Sequence, residues 1–116
     1  MNRPREKPVV GVYELTVDAL WTLPWRRVQS SNLALVAQDE DKLFVRFRGG
    51  GVYVYEGVLP STADCIVAMG KGVGSPGAYL NEWLKPVYDC RRVVQAEEGD
   101  ERRVSFPEHV RSLERS

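Results

Sequence analysis

Tyr53 and Tyr55 stand two positions apart, behind three glycines and a run that carries Arg46 and Arg48. Aromatic rings on a strand stack against flat partners, and guanidinium groups hold anions through paired N–H donors. This spacing offers the chemistry of recognising a nucleotide-type ligand or a short single-stranded RNA, where each stacked base is worth ~1–3 kcal/mol. The same alternation also describes a tyrosine ladder that covers a sheet, because aromatic residues favour strands. A second anion-holding device is the Ser75-Pro76-Gly77 segment, whose free amides would open a helix that also carries Asn81. The candidate ligand-binding set is therefore Tyr53, Tyr55, Arg46, Arg48, Ser75, Gly77 and Asn81.

Other chemistries find less support. Gly70-Lys71-Gly72-Val73-Gly74-Ser75 lacks the GxxxxGK[ST] order of a phosphate loop and reads as a glycine connection between helices. Ser30 and Ser31 have no base nearby in sequence, since the single histidine, His109, falls in the charged tail. Asp39, Glu40 and Asp41 make a solvated turn. Cys65 and Cys90 lie far apart without zinc-type spacing, which predicts reduced thiols and neither metal nor cofactor. The expectation is a protein that is not an enzyme.

Charge limits the partner. Sixteen basic and sixteen acidic residues cancel. Residues 29–93 carry seven of each, so the centre is neutral, while residues 1–28 are slightly basic and residues 94–116 slightly acidic. Gripping a long phosphate backbone needs a basic stripe. A small anionic ligand needs one or two cations. The charged, Pro-rich start and the lack of a long apolar run predict neither signal peptide nor membrane span, and hence the cytoplasm.

The elements that must position these side chains follow from periodicity. Residues 42–48 and 52–56 alternate around Gly49-Gly50-Gly51 and predict a β-hairpin, with Leu43, Val45 and Phe47 facing inward. Val9–Val17, Leu33–Ala37 and Val87–Val94 read as further strands. Pro60-Ser61-Thr62 and Ser75-Pro76 each start a short helix, and the glycines after Met69 end the first. The predicted fold is α+β, a small twisted antiparallel sheet packed with two short helices. Trp21 and Trp25, together with Val104, Phe106, Val110 and Leu113 in the tail, exceed what such a centre covers. They are candidates for a protein interface, including self-association into a homo-oligomer.

The order Ser30-Ser31-Asn32, strand, Gly50-Gly51-Val52-Tyr53-Val54-Tyr55, Pro60, Ser75-Pro76-Gly77-Ala78-Tyr79-Leu80-Asn81 and Tyr88 resembles the KTSC domain. That family is named for the C-terminal extension of some lysyl-tRNA synthetases, and it also occurs as small stand-alone bacterial and phage proteins. Tyr53 and Tyr55 match its central Tyr-x-Tyr. Pro76 departs from it by replacing a lysine, and Glu82-Trp83-Leu84-Lys85 stands where relatives carry Arg or His. The resemblance spans residues 26–93, which leaves residues 1–25 as an N-terminal extension and 94–116 as a C-terminal tail. It implies RNA binding without catalysis. The alternative is a protein-interaction module, such as a phage-type accessory or counter-defence protein acting on a host protein or signalling nucleotide.

Overall fold

The computed structural model describes residues 9–72, 74–95 and 106–115. Its centre is the predicted hairpin: β4 (Lys42–Phe47) and β5 (Val52–Glu56) pair antiparallel, with Val45 opposite Tyr53 and Leu43 opposite Tyr55. The connection turns on Gly49 at φ 67°, a conformation that a side chain would disfavour. Strand β3 (Leu33–Asp39) adds antiparallel to β4, and β2 (Arg26–Arg27) adds to β3. On the other side β6 (Asp89–Gln95) pairs antiparallel with β5. The six-stranded order is β1-β6-β5-β4-β3-β2.

The α+β class is as expected, with one addition. β1 (Val9–Leu15) runs parallel to β6, which makes the sheet mixed. Parallel neighbours need a long crossover, and here the whole intervening domain supplies it. The register of β1 shifts between Val9 and Val12, around Gly11 at φ 128°.

Helices lie on both faces of the sheet. One face carries α2 (Thr62–Lys71), α3 (Pro76–Tyr79) and a π-helical turn over Leu80–Leu84. Ile66, Val67, Leu80 and Leu84 pack there against Leu33, Val36, Leu43, Val45 and Tyr55. The other face carries α1 (Val17–Thr22) and α4 (Glu108–Arg115), with Leu20, Trp25, Phe106 and Val110 against Leu35, Phe44, Val52 and Val54. β3 is buried on both sides, as its run of five consecutive buried residues requires.

Two helices were expected, and among the described residues there are four in addition to the π-helical turn. The missed α1 is short. Thr16 caps it by accepting a hydrogen bond from Ala19 N at 3.1 Å, but Pro24 and the crowded tryptophans mask its period. α4 lies in the tail that sequence reasoning set apart. Residues 9–25 and the described part of the tail belong to the same sheet and core as residues 26–93. Trp25 is 8% exposed, its indole N–H donates to Leu20 O at 2.9 Å, and its ring meets Phe106 edge-on at 5.2 Å. The interface assignment for Trp25 is thereby corrected: the tail covers it from within the same chain. Phe106 and Val110 are likewise buried, whereas Val104 lies outside the described residues.

Candidate functional site

The two pockets that matter lie on the α2/α3 face and share a wall. The first is a cavity of about 400 Å³ lined by Val9, Phe47, Gly50, Gly51, Tyr53, Tyr55, Lys85 and Cys90. The second, of about 270 Å³, is lined mostly by polar side chains: Ser31, Asn32, Arg48, Asn81 and Lys85, with Phe47 and Gly77. Phe47 and Lys85 border both.

Pleating explains the aromatic pocket. Tyr53 and Tyr55 fall on the face of Val45 and Leu43 because cross-strand partners share a side. Phe47 joins them by alternation, and its ring meets Tyr53 edge-on at 5.6 Å. The helices of this face do not reach β1. Val9 and Val12 stay about half exposed, at 51% and 55%, and the register sets Val12, Arg92 and Tyr53 side by side across three strands. The pocket is the step between the helix layer and this uncovered part of the sheet.

The step is made by Lys85. The π-helical turn closes with Lys85 N donating to Leu80 O at 2.9 Å, and the ammonium comes to 5.7 Å from the Phe47 ring centroid. Cys90 lies opposite Tyr55 across the strands. Burial pushes its thiol pKa up, while a hydrogen bond from Tyr55 and the nearby Lys85 charge pull the other way. A thiol held protonated is a poor nucleophile.

The polar pocket is built by one loop and one arginine. Ser30 Oγ accepts from Asn32 N at 3.1 Å and Leu33 N at 3.2 Å, folding the Ser30-Ser31-Asn32 loop on itself. Arg48 ties that loop to the hairpin: its backbone N–H donates to Asn32 O at 2.9 Å, and its Nε donates to Ser30 O at 2.7 Å. From the other side Gly77 presses on Asn32. A Cβ at Gly77 would come within 2.8 Å of Asn32 Nδ2.

Of the residues singled out in the sequence, Tyr53, Tyr55, Arg48, Gly77 and Asn81 thus meet around one groove. Tyr53 is partly exposed and available for contact, but Tyr55 is 2% exposed and belongs mainly to the core. Arg46 does not join them, because alternation sends it to the opposite face. There its Nε donates to Glu114 Oε1 at 2.9 Å, its guanidinium lies 5.4 Å from the Phe106 centroid, and its Nη1 donates to Gly50 O at 2.6 Å. Arg46 is a clasp for α4. Ser75 acts as the cap of α3, accepting from Ala78 N at 3.2 Å, and does not line either pocket. Trp21, on α1, remains at the surface with 36% exposure.

Sequence reasoning missed Phe47, Asn32 and Lys85 as groove residues. Phe47 shares the inward face with Leu43 and Val45 as expected, but at the end of its strand it is only half-buried and so borders the groove. Lys85 stands in Glu82-Trp83-Leu84-Lys85 with no motif to single it out. Its placement depends on the π-helical turn, which no periodicity announces. Among the described residues no group of three or more His, Cys, Asp or Glu is placed to hold a metal, and no helix is long and apolar enough to cross a membrane.

Comparison with protein-family models, with curated proteins and with solved structures returned no match to this chain.

Proposed function

We propose that the protein is a non-enzymatic binding module that recognises a nucleotide-type ligand or a short RNA segment in the groove on the α2/α3 face. The observation that carries this reading is the shared wall: Phe47 and Lys85 border both an aromatic pocket and a polar one. A flat ring against Phe47 and Tyr53 would leave its anionic part beside Lys85, Arg48, Asn32 and Asn81. Base stacking at ~1–3 kcal/mol per ring, with one or two charge-assisted hydrogen bonds, supports weak to moderate affinity. The resemblance to the KTSC domain, carried by the residues quoted above, points in the same direction.

His109 lies on α4, against the other face from Ser30 and Ser31. Ser30 Oγ is engaged by backbone amides. Both features favour binding over catalysis.

A second reading, a protein-interaction module, draws on Trp83, which is 63% exposed, and on Trp21. The two indoles sit on helices of opposite faces, so they do not make one patch. Self-association and a cytoplasmic protein partner belong to this reading.

The deciding experiment titrates Tyr53→Ala and wild type with nucleotides and a short single-stranded RNA, and measures melting of both proteins. Loss of about tenfold or more in affinity at nearly unchanged stability is expected, consistent with one stacked ring. Unchanged affinity in the variant would place the site elsewhere. Failure of wild type to bind any base-bearing probe would favour the protein-interaction reading.

A further inference from the structure

We infer that the polar pocket receives a terminal phosphate, so that the groove selects a single nucleotide carrying a phosphomonoester over an internal segment of a strand. This rests on the nucleotide-type reading of the aromatic pocket.

Three observations carry it. First, the two pockets share Phe47 and Lys85 in their walls, which suits a ring in one and an anion in the other belonging to the same nucleotide. Second, the charge fits. Arg48 and Lys85 bring two cations to the pocket, accompanied by the amides of Asn32 and Asn81 and the hydroxyl of Ser31. A phosphomonoester carries about −1.5 to −2 at neutral pH, whereas an internucleotide diester carries a single charge. Arg48 is held in place through its Nε bond to Ser30 O, which fixes the guanidinium on the pocket wall.

Third, the pocket is backed by core and offers few further cations. The buried Leu33 and Leu80 are among its lining, and Gly77 lies close against the Asn32 amide. A continuing strand would also need cations along its exit. Arg26, beside α2, is paired with Asp64, and the central segment is neutral. Few phosphates can be neutralised here.

The test is calorimetric titration of the full chain with adenosine, adenosine 5′-monophosphate, inorganic phosphate, and the triribonucleotide ApApA with and without a 5′-phosphate. The series is repeated for guanosine, cytidine and uridine. The monophosphate should bind about tenfold or more tighter than its nucleoside, as charge-assisted contacts to phosphate imply. The trinucleotide should gain a similar factor from its 5′-phosphate and bind like the nucleoside without it. Arg48→Ala should erase the difference between nucleoside and monophosphate. Asn81→Ala, which leaves the Arg48–Ser30 tie in place, should reduce it. Tyr53→Ala should weaken both ligands by the same factor.

Equal affinity for nucleoside and monophosphate would overturn the inference. So would an unphosphorylated trinucleotide that binds as well as the monophosphate, although that result would leave the nucleotide-type reading standing. Inorganic phosphate binding as tightly as every monophosphate would overturn it by making the base irrelevant. Absence of binding by all base-bearing probes would overturn both readings.

Discussion

The two faces of the sheet are built from similar material and finished differently. On the α1/α4 face, Trp25, Phe106, Phe44 and Val110 close over one another, and Arg46 clasps the covering helix through Glu114. On the α2/α3 face the helices stop short of β1, leaving Tyr53 and Phe47 partly open and Val9 and Val12 exposed. Each face has an aromatic residue under a cation, Phe106 under Arg46 and Phe47 under Lys85. In the first case the cation ties a covering helix to the sheet through Glu114. In the second the pair borders two pockets. The chemistry of a residue type therefore says little until the surrounding coverage is known.

The largest effect that would break this comparison is expected from Trp25→Ala. If the closed face is core, truncation costs about 3–5 kcal/mol and lowers the urea midpoint sharply. A loss below about 1 kcal/mol would mean that the face is not sealed. Gly70→Ala comes next. Alanine is favoured over glycine in a helix by about 1 kcal/mol, but a Cβ at Gly70 would come within 2.9 Å of Gln29 O and 3.0 Å of Gln29 N. Backbone cannot yield as a side chain does. Overpacking costs about 1–3 kcal/mol, so the net change should be destabilising. A stabilised variant would show that α2 does not lie so close to Gln29.

Arg46→Ala sharpens the contrast between the two cations. It removes a half-buried ion pair and the bond to Gly50 O, for an expected loss of about 1–2 kcal/mol. Faster amide exchange should appear both in α4 and at Gly49–Gly51. Lys85→Ala should leave α4 unaffected. If exchange changes in α4 alone, Arg46 does not couple the tail to the glycine turn.

The smallest effect concerns pH. The Cys90 thiol titrates higher when folded because of burial. The protonated form is then favoured in the folded state, so stability is fully present below the unfolded thiol pKa of about 8.5 and is lost as pH rises through the higher folded value. Cys90→Ser should flatten this alkaline decline in thermal denaturation. An unchanged decline would assign it to another group.

Much of this was legible in the sequence. Alternation in 42–47 and 52–56 gave the hairpin and its faces, and the serine and proline before residues 76–84 gave the helical start. The helix after Pro60 was found, and it ends within the glycine run, with Gly72 at its C-cap. What the run did not announce is that Gly70 is still helical and lies against Gln29. Arg46 and Tyr53 look equivalent as candidate ligand contacts. Period two separates them onto opposite faces, and that separation was visible in the numbering itself. The parallel pairing of β1 and β6 left no mark, because long-range register depends on neighbours that a single strand does not specify. The groove depended on how far the helices extend over the sheet, which is a property of packing and not of any motif.

Strand β1 precedes every other strand of the sheet, yet its partner, β6, is reached only after β2 to β5 and the helices between them. The hairpins of β3, β4 and β5 can zip locally as they emerge, while Val9, Val10 and Val12 must wait for β6. Loop-closure entropy makes this the late step of folding. A ribosome-bound intermediate would then expose both the β5 edge and an unpaired apolar segment, and the completion of β6 would cover the first and capture the second together.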